Sequence, residues 1–341
     1  MEADSHYLES SEAVTLGIFD ITEMSEAQAE SVFEAIRFAS NGGEPFCVWC
    51  DCQAVYRITR KVKNRKTGEI TERRIFKCQK CLKQFSVTSG TEFHGRKLSF
   101  KKILVAAFLF ANGAAGKAAL HLRRDIHSNR KTSWLLLQKL RESMTSYVGV
   151  EARGKLSGSE VEMDSTSVGG HVRKANRAVD RKNQPRRDMS KVTNLSVLVE
   201  RGPRGRVVPF LGNEAQLVKA INTLVENPKR IIVDDHSAWN PLHALFPVSR
   251  IRHKDQYSDL NGTSTNRAES HWSRFKRMYN GTYRHTAPHY RHFYNGECSW
   301  REEHRRTSNG DQLILMLAAA LHHPSSPLFR GYYQRTMRKA A

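Results

Sequence analysis

Two sets of residues in this chain have types and spacings suited to chemistry. The first is a pair of cysteine knuckles, Cys47-Val48-Trp49-Cys50 and Cys78-Gln79-Lys80-Cys81. A two-residue gap lets both sulfurs of one knuckle reach the same ion. Two knuckles supply four thiolates in a closed tetrahedron at about 2.3 Å, the geometry of structural Zn2+. The 27 residues between the pairs exceed the usual gap of about 15–20, and a hairpin accounts for the excess: one strand near 53–62, a turn around Lys66-Thr67-Gly68 and a second strand near 69–77. That is a zinc ribbon, with Cys52 as an alternative to Cys50 and a redox pair as the competing reading.

The second set is acidic. Asp164 lies inside an apolar stretch (Val161-Glu162-Met163-Asp164), Asp234 follows Ile231-Ile232-Val233, and Glu269 stands in the first turns of a helical stretch that begins at Asn266. A carboxylate in or at the end of a strand is costly unless donors or metal compensate it. Three acids from distant segments can hold two Mg2+ ions about 3.5–4 Å apart, which activate a water or a 3′-hydroxyl and stabilise the leaving oxygen of a phosphodiester. Mn2+ can substitute. Hard oxygen ligands suit Mg2+. Asp235 competes with Asp234 on spacing, and Glu162, Asp180 and Asp188 are also available.

The elements that must carry these groups follow from pattern. A short helix spans 25–39, with Ser25 and Gln28 as a capping box and Val32, Phe33 and Ile36 as its apolar stripe. A helix runs from a Ser99 cap to Asn112-Gly113, a second covers about 115–124, and a third runs from a Ser128 cap to about 144. Segments 161–168, 195–199, 207–210, 230–233 and 248–252 read as strands. Helices are expected at 214–226, 238–245, 265–279 and 311–321, and a basic tail at 324–341. Strands first and helices later indicate a mixed α/β domain. The expected division is a leader and short helix (1–45), the ribbon (46–95), a helical DNA-binding segment (96–150), a catalytic domain (156–310) and a C-terminal helix and tail (311–341).

Charge points to the partner. The chain of 341 residues carries 55 Lys and Arg against 34 Asp and Glu, a formal charge of +21. An excess of this size favours a polyanion such as nucleic acid. Residues 1–45 reverse the sign, with ten acids and one basic residue, Arg37, so the basic body is the part expected to bind. The leader lacks an apolar signal core. The longest apolar runs, 103–110 and 313–321, are shorter than the roughly 20 residues of a membrane span. Five of the six cysteines fall between Cys47 and Cys81, which suggests metal in a reducing compartment rather than a disulfide framework. A cytoplasmic, nucleoid-associated protein is expected.

Candidate DNA contacts fall in three places. The ribbon hairpin carries Arg57, Arg60, Lys61, Lys63, Arg65, Lys66, Arg73 and Arg74, suited to phosphate. Residues 114–144 can form a helix-turn-helix, in which Ala118, Leu122, Ile126, Trp134 and Leu137 pack the two helices. Asn129, Arg130 and Lys131 then begin the second helix, where base edges are reached. Arg173 and Lys276 are further candidates.

Taken in order, the motifs resemble a known family: the zinc-ribbon DDE transposases of bacterial insertion sequences, the ISXO-like group. They are the two cysteine knuckles, then Gln84-Phe85-Ser86-Val87-Thr88-Ser89-Gly90-Thr91-x-Phe93-His94, then Val161-Glu162-x-Asp164-x-Thr166-x-Val168-Gly169-Gly170. Next come Asp234-Asp235-His236-Ser237-Ala238-Trp239, Asn266-x-x-Glu269-x-x-Trp272-x-x-x-Lys276-Arg277 and Gly281-Thr282-Tyr283-x-His285. The likeness spans about 26–305. It implies a ribonuclease-H-like domain with Asp164 on its first strand, Asp234 just after its fourth and Glu269 on the following helix. It places the middle acid at Asp234. The family often has Glu after the first Asp, where this chain has Ser165. Lys276, seven residues after Glu269, shares its helix face and would lie near the cut DNA. The resemblance further implies binding to terminal inverted repeats, Mg2+-dependent cleavage, transfer of a 3′-hydroxyl to target DNA, and self-association on DNA as a dimer or higher oligomer. A DNA-binding regulator with an inactive catalytic domain and an endonuclease without strand transfer are the alternatives. His285, His289, His292 and Cys298 are expected to contact phosphate or pack, rather than form a second metal site. Asn266 is expected as a helix cap or a contact near the site.

Overall fold

A computed structural model describes residues 7–63, 68, 70–182, 184–202, 205–252, 255, 258–259, 262–284 and 286–334. The chain forms two compact units, Met1–Ser143 with Arg306–Ala341, and Met144–Arg305.

The first unit begins with helices α1 (Ile18–Glu23) and α2 (Glu26–Arg37). The capping box is present: the Gln28 amide donates to Ser25 Oγ (3.2 Å) and the Ser25 amide to Gln28 Oε1 (2.8 Å). Phe33, buried on α2, meets Phe93 and Phe100 at centroid distances of 5.6 and 4.8 Å. The ribbon is a hairpin of β1 (Val55–Lys63) and β2 (Ile70–Cys78), antiparallel with Val55 opposite Cys78, and β3 (Gln84–Phe85) extends it along β2. Arg65, Lys66 and Thr67 of the expected turn lie outside the described residues. The acidic leader meets the basic ribbon in cis. Glu34 takes Arg57 and Arg74 (both 3.3 Å), and Glu44 takes Arg57 (2.9 Å). Glu26 accepts the backbone N–H groups of Phe100 (2.6 Å) and Lys101 (3.1 Å) at the start of the next helix.

That helix is α3 (Phe100–Ala111), capped by Ser99. The pair α4 (Ala119–Asp125) and α5 (Arg130–Val148) follows. Two details differ from expectation. The cap of α5 is Asn129, whose Oδ1 accepts the Thr132 N–H at 2.8 Å, while the Ser128 hydroxyl pairs with that of Ser133. Leu122, Ile126 and Leu137 are buried, but Trp134 packs elsewhere, as described below.

The second unit opens with the short helix α6 (Val150–Arg153). β4 (Glu160–His171), the short helix α7 (Ala178–Arg181), β5 (Arg187–Glu200) and β6 (Val207–Leu211) follow. After them come helix α8 (Glu214–Leu224), β7 (Arg230–Asp234) and β8 (Val248–Ile251). The five strands form one sheet in the order β6-β5-β4-β7-β8. β4–β5 and β5–β6 are antiparallel, whereas β4–β7 and β7–β8 are parallel. This is the expected mixed, ribonuclease-H-like sheet. Segment 238–245, expected as an α-helix, is a 3-10 stretch, Ser237–Ala244, containing Pro241.

Successive strand residues point to opposite faces. Val161 and Met163 of β4 join Leu217, Ile221, Trp239 and Leu242 in a buried apolar cluster. Glu162 and Asp164 therefore face the other side, toward α9 (Asn266–Arg277) and α10 (Arg291–Glu303). Helix α10 is absent from the sequence-based elements, and it buries four polar residues, Arg291, Asn295, Glu297 and Ser299.

The last helix, α11 (Asn309–His322), belongs to the first unit, where it packs on α2 and α3. Of the basic tail expected at 324–341, residues 324–334 are folded. Phe329 is buried, and Trp134 of α5 packs on Phe329, Tyr332 and Tyr333 at 6.0, 5.1 and 6.0 Å. Residues 335–341 lie outside the described set.

Candidate active site and metal centre

The ribbon register brings the second knuckle, at the end of β2, beside the first. Cys47 Sγ lies 3.5 Å from Cys81 Sγ, and Cys50 Sγ lies 3.6 Å from Cys78 Sγ. All four sulfurs fall within 4.8 Å of one another. A tetrahedron with metal–sulfur bonds of about 2.3 Å has edges of about 3.8 Å, so the donor set fits Zn2+. Amides aid the thiolate form: the Cys81 and Lys80 N–H groups, at 3.4 and 3.3 Å from Cys78 Sγ, pull that thiol down to about 6. Cys52 is not in the set; its Sγ is directed at the Ala54 carbonyl at 3.8 Å.

Asp164 and Glu269 line one cavity of about 440 Å3, with Ser165, Thr166, Trp272, Ser273 and Lys276. Burial pushes the Asp164 carboxyl up to about 7. The Ser165 amide, 2.7 Å from its Oδ1, opposes the rise, and the charges of Asp234 and Glu269 add to it. Asp234 is not part of the cavity wall, but the parallel register of β4 and β7 accounts for its effect. Glu162 pairs with Ile232, so two residues further on Asp164 and Asp234 stand at the same height on neighbouring strands. Asp234 is itself oriented: Trp239 Nε1 donates to its Oδ1 at 2.6 Å, and the His236 amide to the same oxygen at 3.2 Å.

The competing acids have other partners. Asp235 pairs with Arg252 (2.9 Å), Asp188 pairs with Lys191 (2.7 Å), and Asp180 is exposed on α7. Glu162 is a helix anchor. Its Oε2 accepts the N–H groups of Arg267 (2.8 Å) and Ala268 (3.1 Å), and its Oε1 accepts Arg201 Nε (2.8 Å). The Arg201 guanidinium also reaches the Ser264 carbonyl and hydroxyl, at 2.6 and 2.8 Å. The expected cap, Asn266, is the first residue of α9 and exposed. The Thr265 side chain, at the N-cap, makes no cap hydrogen bond, so Glu162 supplies that function from β4. Such an anchor, two residues from Asp164, sets where Glu269 falls.

The donor chemistry fits hard divalent cations. A half-buried carboxyl pushed toward neutrality by desolvation and by two further acids regains its charge when cations enter. The three carboxylates do not close to within 4.8 Å as the four thiols do. Two ions about 3.5–4 Å apart, each about 2.1 Å from its oxygens, require a wider set.

Other motif residues support the frame. Gly169 has φ +85°, and a Cβ there would stand 2.3 Å from Arg291 Nη1. That guanidinium is buried against the Val168 carbonyl and Thr193 Oγ1 at 3.1 and 3.0 Å. The Ser165 hydroxyl, where the family often has Glu, pairs with Ser196 Oγ across to β5 at 2.6 Å. Residues missed from the sequence join α9 to α10. His271 Nε2 pairs with Asn295 Oδ1 at 2.8 Å, and burial pulls its imidazole down to about 4. Tyr283, part of the motif that follows α9, donates to Glu297 of α10 at 2.7 Å.

The expected DNA contacts are scattered. Arg60, Lys61, Arg130, Lys131, Arg173 and Lys276 are exposed, and Lys131 lies 5.3 Å from the Tyr333 ring. Arg57 is held by Glu34 and Glu44, and Asn129 by its cap. His289 and His292 pack on Tyr290 and Phe293, and Cys298 is buried with Sγ toward the His271 carbonyl at 3.7 Å. His285 lies outside the described residues. Among the described residues no helix is long and apolar enough to cross a membrane.

Residues 155–303, which carry all three acids, match the family model described as the ISXO2-like transposase domain. Residues 24–84, with α2 and all four cysteine ligands, match the transposase zinc-ribbon domain. No curated protein matches the chain.

Proposed function

The chain belongs to the zinc-ribbon DDE transposases, with an ISXO2-like domain behind its ribbon, and from that premise we propose that it cuts the ends of its own insertion sequence and joins them to target DNA. The ribbon and the α4–α5 pair bind the terminal inverted repeats. Asp164, Asp234 and Glu269 would hold two Mg2+ ions, with Mn2+ able to replace them. Those ions supply the charge that activates a water or 3′-hydroxyl and stabilises the leaving oxygen.

The protein's share is placement. Glu162 and Arg201 fix the start of α9 and hence Glu269, and Trp239 fixes the carboxylate plane of Asp234. Lys276 lines the same cavity as Asp164 and Glu269, where its ammonium can take a phosphate oxygen of the cut strand. Chemistry at two ends calls for at least two copies of the site, so an oligomer on DNA is part of the reading.

One observation carries the proposal: Asp164 and Glu269 share a cavity, and the charges of both Glu269 and Asp234 bear on the half-buried Asp164 carboxyl. The test is incubation in Mg2+ with DNA flanking its own gene, mapping cuts on both strands, followed by strand transfer from precut ends. Asp164→Asn should abolish both reactions and spare DNA binding. Binding without cleavage by the native chain would favour a regulator, and cleavage without joining an endonuclease.

A further inference from the structure

We propose that the turn between α4 and α5 is a phosphate-binding cleft for the backbone of duplex DNA, and that Lys97, Arg123, Arg124 and His127 form it. This rests on the reading of the chain as an end-binding transposase and assigns the contact to residues outside the candidates read from sequence.

Those four residues line an open cavity of about 730 Å3 together with Leu98, Ser128, Asn129 and Thr132. No carboxylate lines it. All four basic side chains are exposed, and among the described residues none has an acidic partner. Asp125, the one acid of α4, is turned to Lys117 at 2.7 Å. The cleft also receives the N-terminal end of α5, a helix of 19 residues, whose dipole favours an anion. Asn129 caps that end, leaving the cleft polar and open.

The ribbon arginines differ. Arg57 is shared by Glu34 and Glu44, and Arg74 pairs with Glu34 and lies 3.8 Å from Glu30. Their charge is offset within the chain, so DNA gains less by approaching them. The cleft is larger than a single phosphate and fits a run of sugar–phosphate backbone. It positions the duplex without reading bases, a task separate from base contact.

The test uses the full chain with zinc bound. Its affinity is measured against salt for a duplex carrying the sequence that flanks its own gene and for a scrambled duplex of the same length. Each phosphate contact removed lowers the slope of log K against log salt by about 0.9. Lys97→Ala/Arg123→Ala/Arg124→Ala should therefore flatten the slope by about two to three units, weakening both duplexes alike. Arg57→Ala/Arg74→Ala should move it by less than about one unit. A charge-keeping Arg123→Lys/Arg124→Lys variant should restore most of the slope, and unchanged zinc content and thermal melting show that the fold is intact. An unchanged slope in the triple variant overturns the cleft while leaving the transposase reading in place. Loss confined to the flanking sequence also overturns it, because that is base reading. If the native chain binds neither duplex, the cleft and the reading beneath it both fall.

Discussion

The indole nitrogen of Trp239 donates to Oδ1 of Asp234 across 2.6 Å, and the His236 amide adds a second bond to the same oxygen. Trp239 itself is fixed in the apolar cluster beneath the sheet, 1 % exposed. The middle acid is thus aimed by a side chain anchored in the core. Partners of this kind are worth about 10–100-fold in metal affinity or activity when lost. Trp239→Phe keeps the packing and removes the donor. It should lower end cleavage by that factor, leave DNA binding unchanged, and raise the Mg2+ concentration at half-maximal rate. Cleavage at the native rate would show that the indole only fills space.

Glu162 acts on the third acid through the α9 backbone. Glu162→Ala removes the acceptor for two amides and leaves Arg201 without its best-buried partner. Its expected effect is a loss of at least about tenfold in Mn2+ affinity, read by electron paramagnetic resonance on the DNA-free protein. Glu162→Gln keeps an acceptor for the amides and should recover part of it. Equal affinities in all three proteins would show that α9 keeps its place unaided.

A buried acid–base cluster in the first unit gives a pH dependence. Burial pushes Glu142 up to about 7, with nearby Glu92 adding to the rise, while Glu92 raises His323 against the effect of burial. The folded form therefore binds protons more tightly than the unfolded chain at both sites. Stability from both groups is present at low pH; the share of Glu142 is lost as pH rises from about 4.5 through about 7, and that of His323 as pH rises through its own raised value. The melting temperature of the first unit should fall between pH 5.5 and 8 by a few degrees, on the order of 1 kcal/mol. Glu142→Gln, which cannot ionise, should flatten that fall. A slope unchanged by the substitution would place its origin elsewhere.

The cysteine geometry separates two neighbours. Cys50→Ser should abolish tight zinc binding and unfold the ribbon, because structural zinc supplies folding energy. Cys52→Ser should retain one zinc per chain. Chelation of the native protein should weaken end binding while leaving the mixed sheet folded. Metal analysis of the two variants decides which cysteine is the ligand.

Elements whose pattern is local were legible in advance. The Ser25–Gln28 box, the ribbon hairpin and the strand bearing Asp164 all follow from capping residues, knuckle spacing and period-two alternation. Helix α10 was not, because Arg291, Asn295, Glu297 and Ser299 are buried polar residues within it. Several are matched by distant partners such as Tyr283 and His271, so no apolar stripe marks the helix. The role of Glu162 was hidden for the same reason: an acid beside a candidate metal ligand looks like another ligand until the backbone amides 105 residues further on are in place. Trp134 fits a helix-turn-helix pattern, but its contacts come from residues 329–333, far along the chain.

That last relationship bears on how the molecule is made. The ribbon's cysteines leave the ribosome early, yet the helices behind them are completed only by α11 and the segment holding Phe329, which are synthesised after the whole mixed sheet. Because domains fold as units during synthesis, a nascent chain can assemble the mixed sheet before the first unit has all its parts. A chain cut short before Phe329 would keep the whole mixed sheet but leave Trp134 without the segment that packs on it.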